Sequence, residues 1–465
     1  MIVTQRRIVL GLFCLVGLLS CGGGDDPEPE PVDPPVTVVD SLAITVNPAD
    51  VKQEMIGFGG ALTWYSSSVT GNNKINEIAD LMFNDLGIDM IRFKNWYYPE
   101  NYPVVKTTTS MPDDNAKVQW DATNQLYALA KARNPDVKIL LSSWGPPKAL
   151  KSNGKLPEGT LNKDASGFMY DAFADYWADV LDHVPFDPDY ISIQNEPTYT
   201  NAGWTTCEWA ISETSSLPGY NTAFNKVYDK IKGRTHVPVM IGPESQDVPK
   251  FSLFANVLKD NPNCGLYAYH PYNINSGTSA DATISSLKSI AAFSTKPNLM
   301  TEFSDNLPDW LSTGMFIQHA LVQANTSGYI YWKLAWSTPA SGEDAAMISV
   351  GSASAPYKVT PYYYLMKHFA KHVDAGYHRV ATSVANTSLY TSAFISPDNK
   401  KVTVVAINNG TEAAKVYFEA TGKTISSVTA DQSKANSYYQ AVTGTRPKKS
   451  ISLPAKSITT VVLSL

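Results

Sequence analysis

Tyr190-Ile-Ser-Ile-Gln-Asn-Glu-Pro197 is the stretch on which the fold turns. It opens as a short apolar run, Ile191-Ser-Ile193, the pattern of a parallel strand buried inside an α/β protein. It closes on polar residues and a proline. Pro197 has no N–H to give a sheet and biases Glu196 away from helix, so the strand stops with Asn195 and Glu196 at its C-terminal lip. In a barrel of alternating strands and helices, that lip is where active sites are built. A carboxylate beside an amide that can hold a hydroxyl suits acid/base work on a sugar. A single Glu there would serve equally well as a cap for the next loop.

Pro297-Asn-Leu-Met-Thr-Glu302-Phe303 is a second short apolar run ending in a carboxylate. Glycoside hydrolysis usually needs two carboxyl groups flanking the bond, and two strands delivering one Glu each to the same mouth meet that need.

Six further runs complete an eightfold pattern. Strand one is Met55 to Ala61, strand two Asp89 to Lys94 and strand three Val137 to Trp144. Strand four carries Glu196. Strand five is Val237 to Gly242, strand six Gly265 to His270, strand seven carries Glu302, and strand eight is Gly328 to Lys333. Between them apolar residues recur at three-to-four spacing over Ile75 to Leu86, Asn124 to Ala132, Gly167 to Leu181, Asn221 to Ile231, Phe251 to Lys259, Ala282 to Ala292 and Leu311 to Ala324, with Pro361 to His372 after strand eight. Eight alternations predict an α/β protein with a (β/α)8 TIM barrel over residues 55–375. An open doubly wound sheet would want a glycine-rich phosphate turn opening a helix after strand one, and Gly57-Phe-Gly-Gly60 lacks that spacing.

From about Gly376 the pattern becomes strands separated by turn signals such as Asn408-Asn-Gly410, which predicts an antiparallel β-sandwich side domain over 376–465. The alternating segment 41–54 has no place in the barrel and is expected to supply that domain with an N-terminal strand.

The ends and the composition set further limits. Arg6 and Arg7, the apolar run Ile8 to Leu19 and Leu18-Leu-Ser-Cys21 predict a lipoprotein signal peptide over 1–21 with Cys21 lipidated. Residues 22–40 form an acidic, Pro-rich tether. Acidic residues soon after the cysteine resemble the surface-export signal of Bacteroidetes lipoproteins, which implies anchoring at the bacterial outer membrane, on the cell surface. A formal net charge of −6 with 17% charged residues excludes the basic face that nucleic acid requires. The 10 Trp and 25 Tyr mostly fill core, and some are expected to line a sugar-binding cleft. Cys207 and Cys264 are placed at opposite ends of the barrel, so free thiols are expected. No Cys/His cluster has metal spacing, so neither metal nor cofactor is expected. A monomer is expected.

In Ile56-Gly-Phe-Gly-Gly-Ala61, Ile191 to Pro197, Met300-Thr-Glu302 and Tyr331-Trp332 the sequence resembles glycoside hydrolase family 30. Lys401 to Asn408 and Leu453 to Thr460 look most like its bacterial (glucurono)xylanase branch. The likeness runs from about residue 41 to the end. It implies a retaining enzyme in which Glu302 is the nucleophile and Glu196 the acid/base. It also implies substrate-binding roles. Asn195 holds the sugar 2-hydroxyl, Arg92 keeps Glu302 ionised, and Trp144 and Trp332 are sugar platforms. His270 and Tyr272 lie at the lip of strand six, where His270 is equally readable as a structural histidine. Trp64 and Trp204 are further candidates.

The members best known in that branch grip a glucuronic acid side chain with arginine just after strand eight. Here Tyr331-Trp-Lys-Leu-Ala-Trp-Ser337 holds no arginine, Lys333 is its only cation, and Glu343 and Asp344 would repel a uronic acid. The expectation is cleavage of β-1,4-xylan without strict glucuronic acid dependence. A β-1,6-glucanase or glucosylceramidase-like β-glucosidase would share the machinery. A glycan-binding surface lipoprotein without catalysis is the alternative of another class, and the two carboxylates argue against it.

Overall fold

The strand periodicity explains how the barrel fills. In a computed structural model, described over residues 41–465 except 112–113, 275–276, 305–306, 338–344 and 352, eight parallel strands close on themselves. They are Gly57–Leu62, Met90–Lys94, Lys138–Ser142, Tyr190–Ser192, Val239–Ser245, Leu266–Tyr269, Asn298–Phe303 and Gly328–Tyr331, in that order around the ring. The signal peptide, Cys21, the tether and the pair Glu343 and Asp344 lie outside the described residues. Side chains alternate across each strand. Met90, Leu140, Ile241, Leu299 and Ile330 form a small cluster filling the barrel, while their neighbours Ile91, Ile139, Leu141, Met240 and Met300 join the larger core beneath the helices. Strand one is glycine-rich because it is crowded: a Cβ on Gly59 would lie 2.5 Å from the Met90 carbonyl oxygen, and one on Gly60 would lie 2.7 Å from Leu334 Cβ.

Several boundaries differ from expectation for local reasons. Strand four is paired only over Tyr190–Ser192, so Glu196 stands beyond the sheet rather than at a strand end. Strand five runs past Pro243 to Ser245, because the chain bulges there and the proline's missing N–H falls where the pairing register slips. The helix after strand two begins at Asp114, well before Asn124. The helix expected from Gly167 starts at Tyr170, since Gly167–Phe168 is used in a short hairpin with Lys163–Asp164. Among the described residues no helix is long and apolar enough to cross a membrane. Cys207 and Cys264 are both buried and free.

The side domain is a nine-stranded sheet that includes the N-terminal strand Leu42–Glu54. That strand pairs antiparallel with His378–Val384 and parallel with Ala414–Ala420, the one junction of the sheet that is not antiparallel. The sheet wraps around its own core, with Ile44, Val404, Phe418 and Val461 in a single cluster. Strand Lys401–Asn408 shows how it also meets the barrel. Val402, Val404 and Ala406 face the side-domain core, while Val405 and Ile407 join the barrel core. Helix Trp310–Gln323 packs there, and Gln318 Nε2 donates to the Val405 carbonyl at 2.8 Å. Gly314 lets the helix approach, since a Cβ would come 2.8 Å from Leu365 Cδ1 and 3.2 Å from Ile407 Cδ1.

Candidate active site

The C-terminal lips of the strands converge on one cleft of about 610 Å³. Glu196, Glu302, Asn195, Trp144, Tyr272, Trp332, Trp64 and Trp204, each singled out from sequence, line it. Arg92 and His270 lie beneath it, fully buried. Tyr65, Tyr199, Gln246 and Trp336 also line the cleft, and sequence reading did not mark them.

A break in strand pairing aims one carboxylate and a left-handed backbone aims the other. The register between strands seven and eight slips between Met300 and Phe303, around Glu302. Such bulges turn a side chain away from the alternation of its strand. Glu196 is aimed by its backbone instead. Its φ is 47°, a left-handed conformation that costs a non-glycine residue about 1–3 kcal/mol and is found where surrounding structure enforces it. Two hydrogen bonds pin it: Glu196 N–H donates to the Glu244 carbonyl at 3.0 Å, and Tyr199 N–H donates to the Glu196 carbonyl at 2.9 Å.

Arg92 organises the floor. Its Nη1 donates to Glu302 Oε2 at 2.6 Å, its Nη2 to Asn195 Oδ1 at 2.6 Å and its Nε to Ser142 Oγ at 3.1 Å. Through these contacts the guanidinium fixes Glu302 and Asn195 relative to each other. Trp144 lies over it, 4.8 Å from Cζ to ring centroid, and Trp332 at 5.9 Å. The two indoles are therefore held from below by a cation–π contact. Tyr272 Oη donates to the other Glu302 oxygen at 3.0 Å. His270 Nδ1 sits 3.0 Å from Glu196 Oε1, and its Nε2 sits 3.1 Å from Thr301 Oγ1.

The electrostatics separate the two carboxyls. Burial drives the Glu196 carboxyl well above its ordinary value, and the charge of Glu302 drives it further. Burial pushes Glu302 up to about 7, while Arg92 and the Tyr272 hydroxyl pull it back. A proton shared by this pair therefore rests on Glu196, and Glu302 is the anion. Burial, then the charge of Arg92, hold His270 well below its usual value, so the imidazole is neutral. Glu196, His270 and Glu302 each place one ligand atom within 4.8 Å of the others, a spacing a cation could use. The Arg92 guanidinium already supplies positive charge at that spot.

Beneath the cleft, Glu244 is a further residue not marked from the sequence. It is fully buried, 3.1 Å from Arg92 Nε, and follows the apolar run of strand five just as Glu196 and Glu302 follow theirs. The sequence expectation ends strand five at Gly242, two residues short of it, whereas the strand runs on to Ser245. Lys333, the cation after strand eight, is half-buried with its Nζ 5.2 Å from the Trp336 ring centroid.

Residues 376–461 match the family model for the glycosyl hydrolase family 30 beta sandwich domain. The chain is 24% identical over 450 residues to the glucuronoxylanase XynC of Bacillus subtilis (strain 168), covering 90% of this chain and 92% of that protein. The catalytic domain of xylanase C from Talaromyces cellulolyticus superposes with a TM-score of 0.73 at 18% identity, over 91% of this chain and 100% of that one. The endo-β1,6-glucanase BT3312 gives 0.68 at 18% identity, over 92% and 95%. At those identities the two superpositions speak to fold.

Proposed function

We propose, from the premise that this chain is a family 30 glycoside hydrolase whose likeness runs to the xylanase branch, that it cleaves the β-1,4-xylan backbone by a retaining double displacement. The observation that carries the mechanism is the pair itself: Glu196 and Glu302 bring carboxyl oxygens within 4.8 Å of each other. Retaining enzymes hold these groups about 5–5.5 Å apart, and inverting ones about 6.5–9.5 Å to admit a water. The ionised Glu302, fixed by Arg92 and Tyr272, attacks the anomeric carbon. Glu196, protonated beside neutral His270, gives its proton to the leaving oxygen and then takes one from water. Asn195, locked by Arg92, presents its amide nitrogen to the sugar 2-hydroxyl.

The substrate reading rests on the residues after strand eight. Within Tyr331 to Ser337 there is no arginine to pair with a uronic acid, and Lys333 packs along Trp336. Backbone cleavage without strict glucuronic acid dependence follows. Digesting glucuronoxylan and linear xylo-oligosaccharides side by side tests this. Comparable rates support it; products that all carry one glucuronic acid, with linear oligomers untouched, would overturn it. The likeness to endo-β1,6-glucanases supports a second reading of the same machinery, and release of gentio-oligosaccharides from β-1,6-glucan with no action on xylan would establish it.

The chain is further proposed to act as a monomer tethered to the outer membrane through lipid on Cys21. Incorporation of labelled palmitate, lost in Cys21→Ser, is the check.

A further inference from the structure

Three carboxylates converge on the catalytic floor, and the reaction described above uses two. The third, Glu244, is fully buried. Its Oε1 lies 3.1 Å from Arg92 Nε and accepts from Ser142 Oγ at 3.2 Å. Its Oε2 is buried with no hydrogen-bond partner. Its backbone is left-handed, with φ 52°, and its carbonyl accepts the N–H of Glu196. A neutral amide could make the same two contacts through one oxygen. A buried carboxylate with one oxygen unsatisfied is a costly alternative. What distinguishes the carboxylate from the amide is its charge.

We propose that Glu244 is a positioning residue that balances the charge of Arg92 throughout the reaction, so that Arg92 can hold the nucleophile Glu302 without quenching it. The proposal rests on the retaining reading. In the first step a Glu302 oxygen forms a bond to the anomeric carbon. The glycosidic C–O bond breaks, its electron pair goes to the leaving oxygen, and the Glu196 proton joins it there. Glu302 enters as an anion and becomes a neutral ester, while Glu196 becomes the anion. In the second step water gives a proton to Glu196 and its oxygen bonds to the anomeric carbon, and the ester bond breaks to return the pair to Glu302. Arg92 thus loses one charged partner midway, and Glu244 remains. If Glu302 were the only carboxylate on Arg92, the guanidinium would bind the ground-state anion most tightly and, once the ester formed, would have no carboxylate in direct contact, only the more distant Glu196 anion.

The groups that face the pair come from several strands. Arg92 comes from strand two, Glu244 from strand five, His270 and Tyr272 follow strand six, and the charge of Lys250 reaches Glu196. Among them the negative charge of Glu244 raises both carboxyls. Removing that charge lowers both.

The test is Glu244→Gln in the full chain, which keeps the size and the Oε1 contacts. The rate is followed against pH on an aryl β-xyloside or another substrate the wild type cleaves. Both limbs of the profile should move to lower pH by about half a unit or more, with kcat down about tenfold and KM within about twofold. Ser142→Ala removes the hydroxyl shared by Arg92 and Glu244 but no charge, so it should slow the enzyme without moving the limbs. Unmoved limbs in Glu244→Gln, or an equal shift in Ser142→Ala, would overturn the proposal. If Glu244→Gln does not fold, wild-type enzyme labelled with 13C at its glutamate carboxyls decides the matter. One buried carboxyl must stay ionised across both limbs, and three that titrate with activity would sink the idea. A wild type that inverts configuration, or cleaves no glycoside offered, defeats the underlying reading. A retaining wild type matched by an unaltered Glu244→Gln defeats only the role of Glu244.

Discussion

Glu196 and Glu302 carry the same functional group into different protonation states, and the difference comes from what touches them. Arg92 and Tyr272 both contact Glu302, whereas Glu196 meets a neutral imidazole. Glu302→Gln should abolish turnover of every substrate. Glu196→Gln should spare the first step for aryl glycosides with good leaving groups, and azide should restore turnover as a glycosyl azide of retained configuration. Azide rescue of the Glu302 variant with retention would reverse the two roles. Because burial pushes Glu302 up to about 7, its ionised form fades as pH falls through that region. The acid limb of kcat/KM should therefore lie near neutrality. A limb in the ordinary carboxylate range, near 4.5, contradicts the buried pair. Trp204 is 43% exposed, stacked on Tyr199 in the loop that follows Glu196. A large exposed indole on a cleft wall is suited to stacking against a sugar ring. Trp204→Ala should lower kcat/KM on polymer by about fivefold to tenfold, the worth of about 1–1.5 kcal/mol, and leave short aryl glycosides unchanged. An equal loss on both would show that the residue supports the fold instead.

Strand one illustrates what an element must satisfy to place such residues. Its glycines let strands one and two and the turn at Leu334 come together closely. Gly59→Ala would press a methyl against the strand-two backbone, where no flexible side chain can yield. It should cost about 1–3 kcal/mol or more in stability, the range of overpacking, read as a fall in Tm. Activity per folded molecule should stay close to wild type if the effect is packing alone. Helix Trp310–Gln323 has the opposite requirement, a firm start. Asp309 Oδ1 accepts the Ser312 N–H at 2.7 Å, and Asp309→Ala should cost about 1 kcal/mol.

At the scale of the whole molecule, barrel and side domain share a core and a set of buried hydrogen bonds. His368 lies at their junction, with its ring nitrogens 2.9 Å from Thr460 Oγ1 and 2.7 Å from Ser433 Oγ. Burial, helped by the charges of His372 and Lys367, pushes its pKa down to about 3 from 6.5. Between those values the unfolded chain binds a proton that the folded one refuses, so stability falls as pH drops from 6.5 toward 3. His368→Gln should flatten the fall of Tm across that window, and an unchanged slope would assign acid sensitivity elsewhere. The N-terminal strand reaches the barrel as well: Gln53 Nε2 donates to the Leu321 carbonyl at 2.8 Å and to the Thr326 carbonyl at 3.0 Å. Truncation before Gly376 would strip its neighbours from this strand and uncover Phe58, Tyr364 and His368, which pack against Phe394, Tyr438 and Thr460 of the side domain. The truncate should be insoluble or unfolded. A soluble, fully active one would make the side domain an independent module.

The sequence by itself determined the barrel, the side domain and the two central carboxylates. All three depend on local pattern: apolar runs that must be buried, punctuation that ends them, and a Glu just beyond the break. It also marked Arg92, Asn195, His270 and Trp144, because each stands at or just past the end of such a run. Only the tertiary structure decided what those residues do to one another. Glu244 lay past the expected end of strand five at Gly242, since a bulge carries the strand on through Pro243 to Ser245. Tyr65, Tyr199 and Trp336 looked like any other aromatics, because the cleft they line is made by loops far apart in the chain. The division follows from range. Hydrophobic period and backbone chemistry act over a few residues and are written in order. Charge balance among Arg92, Glu244 and Glu302 acts over a few ångströms between strands two, five and seven, and exists only once the barrel has closed.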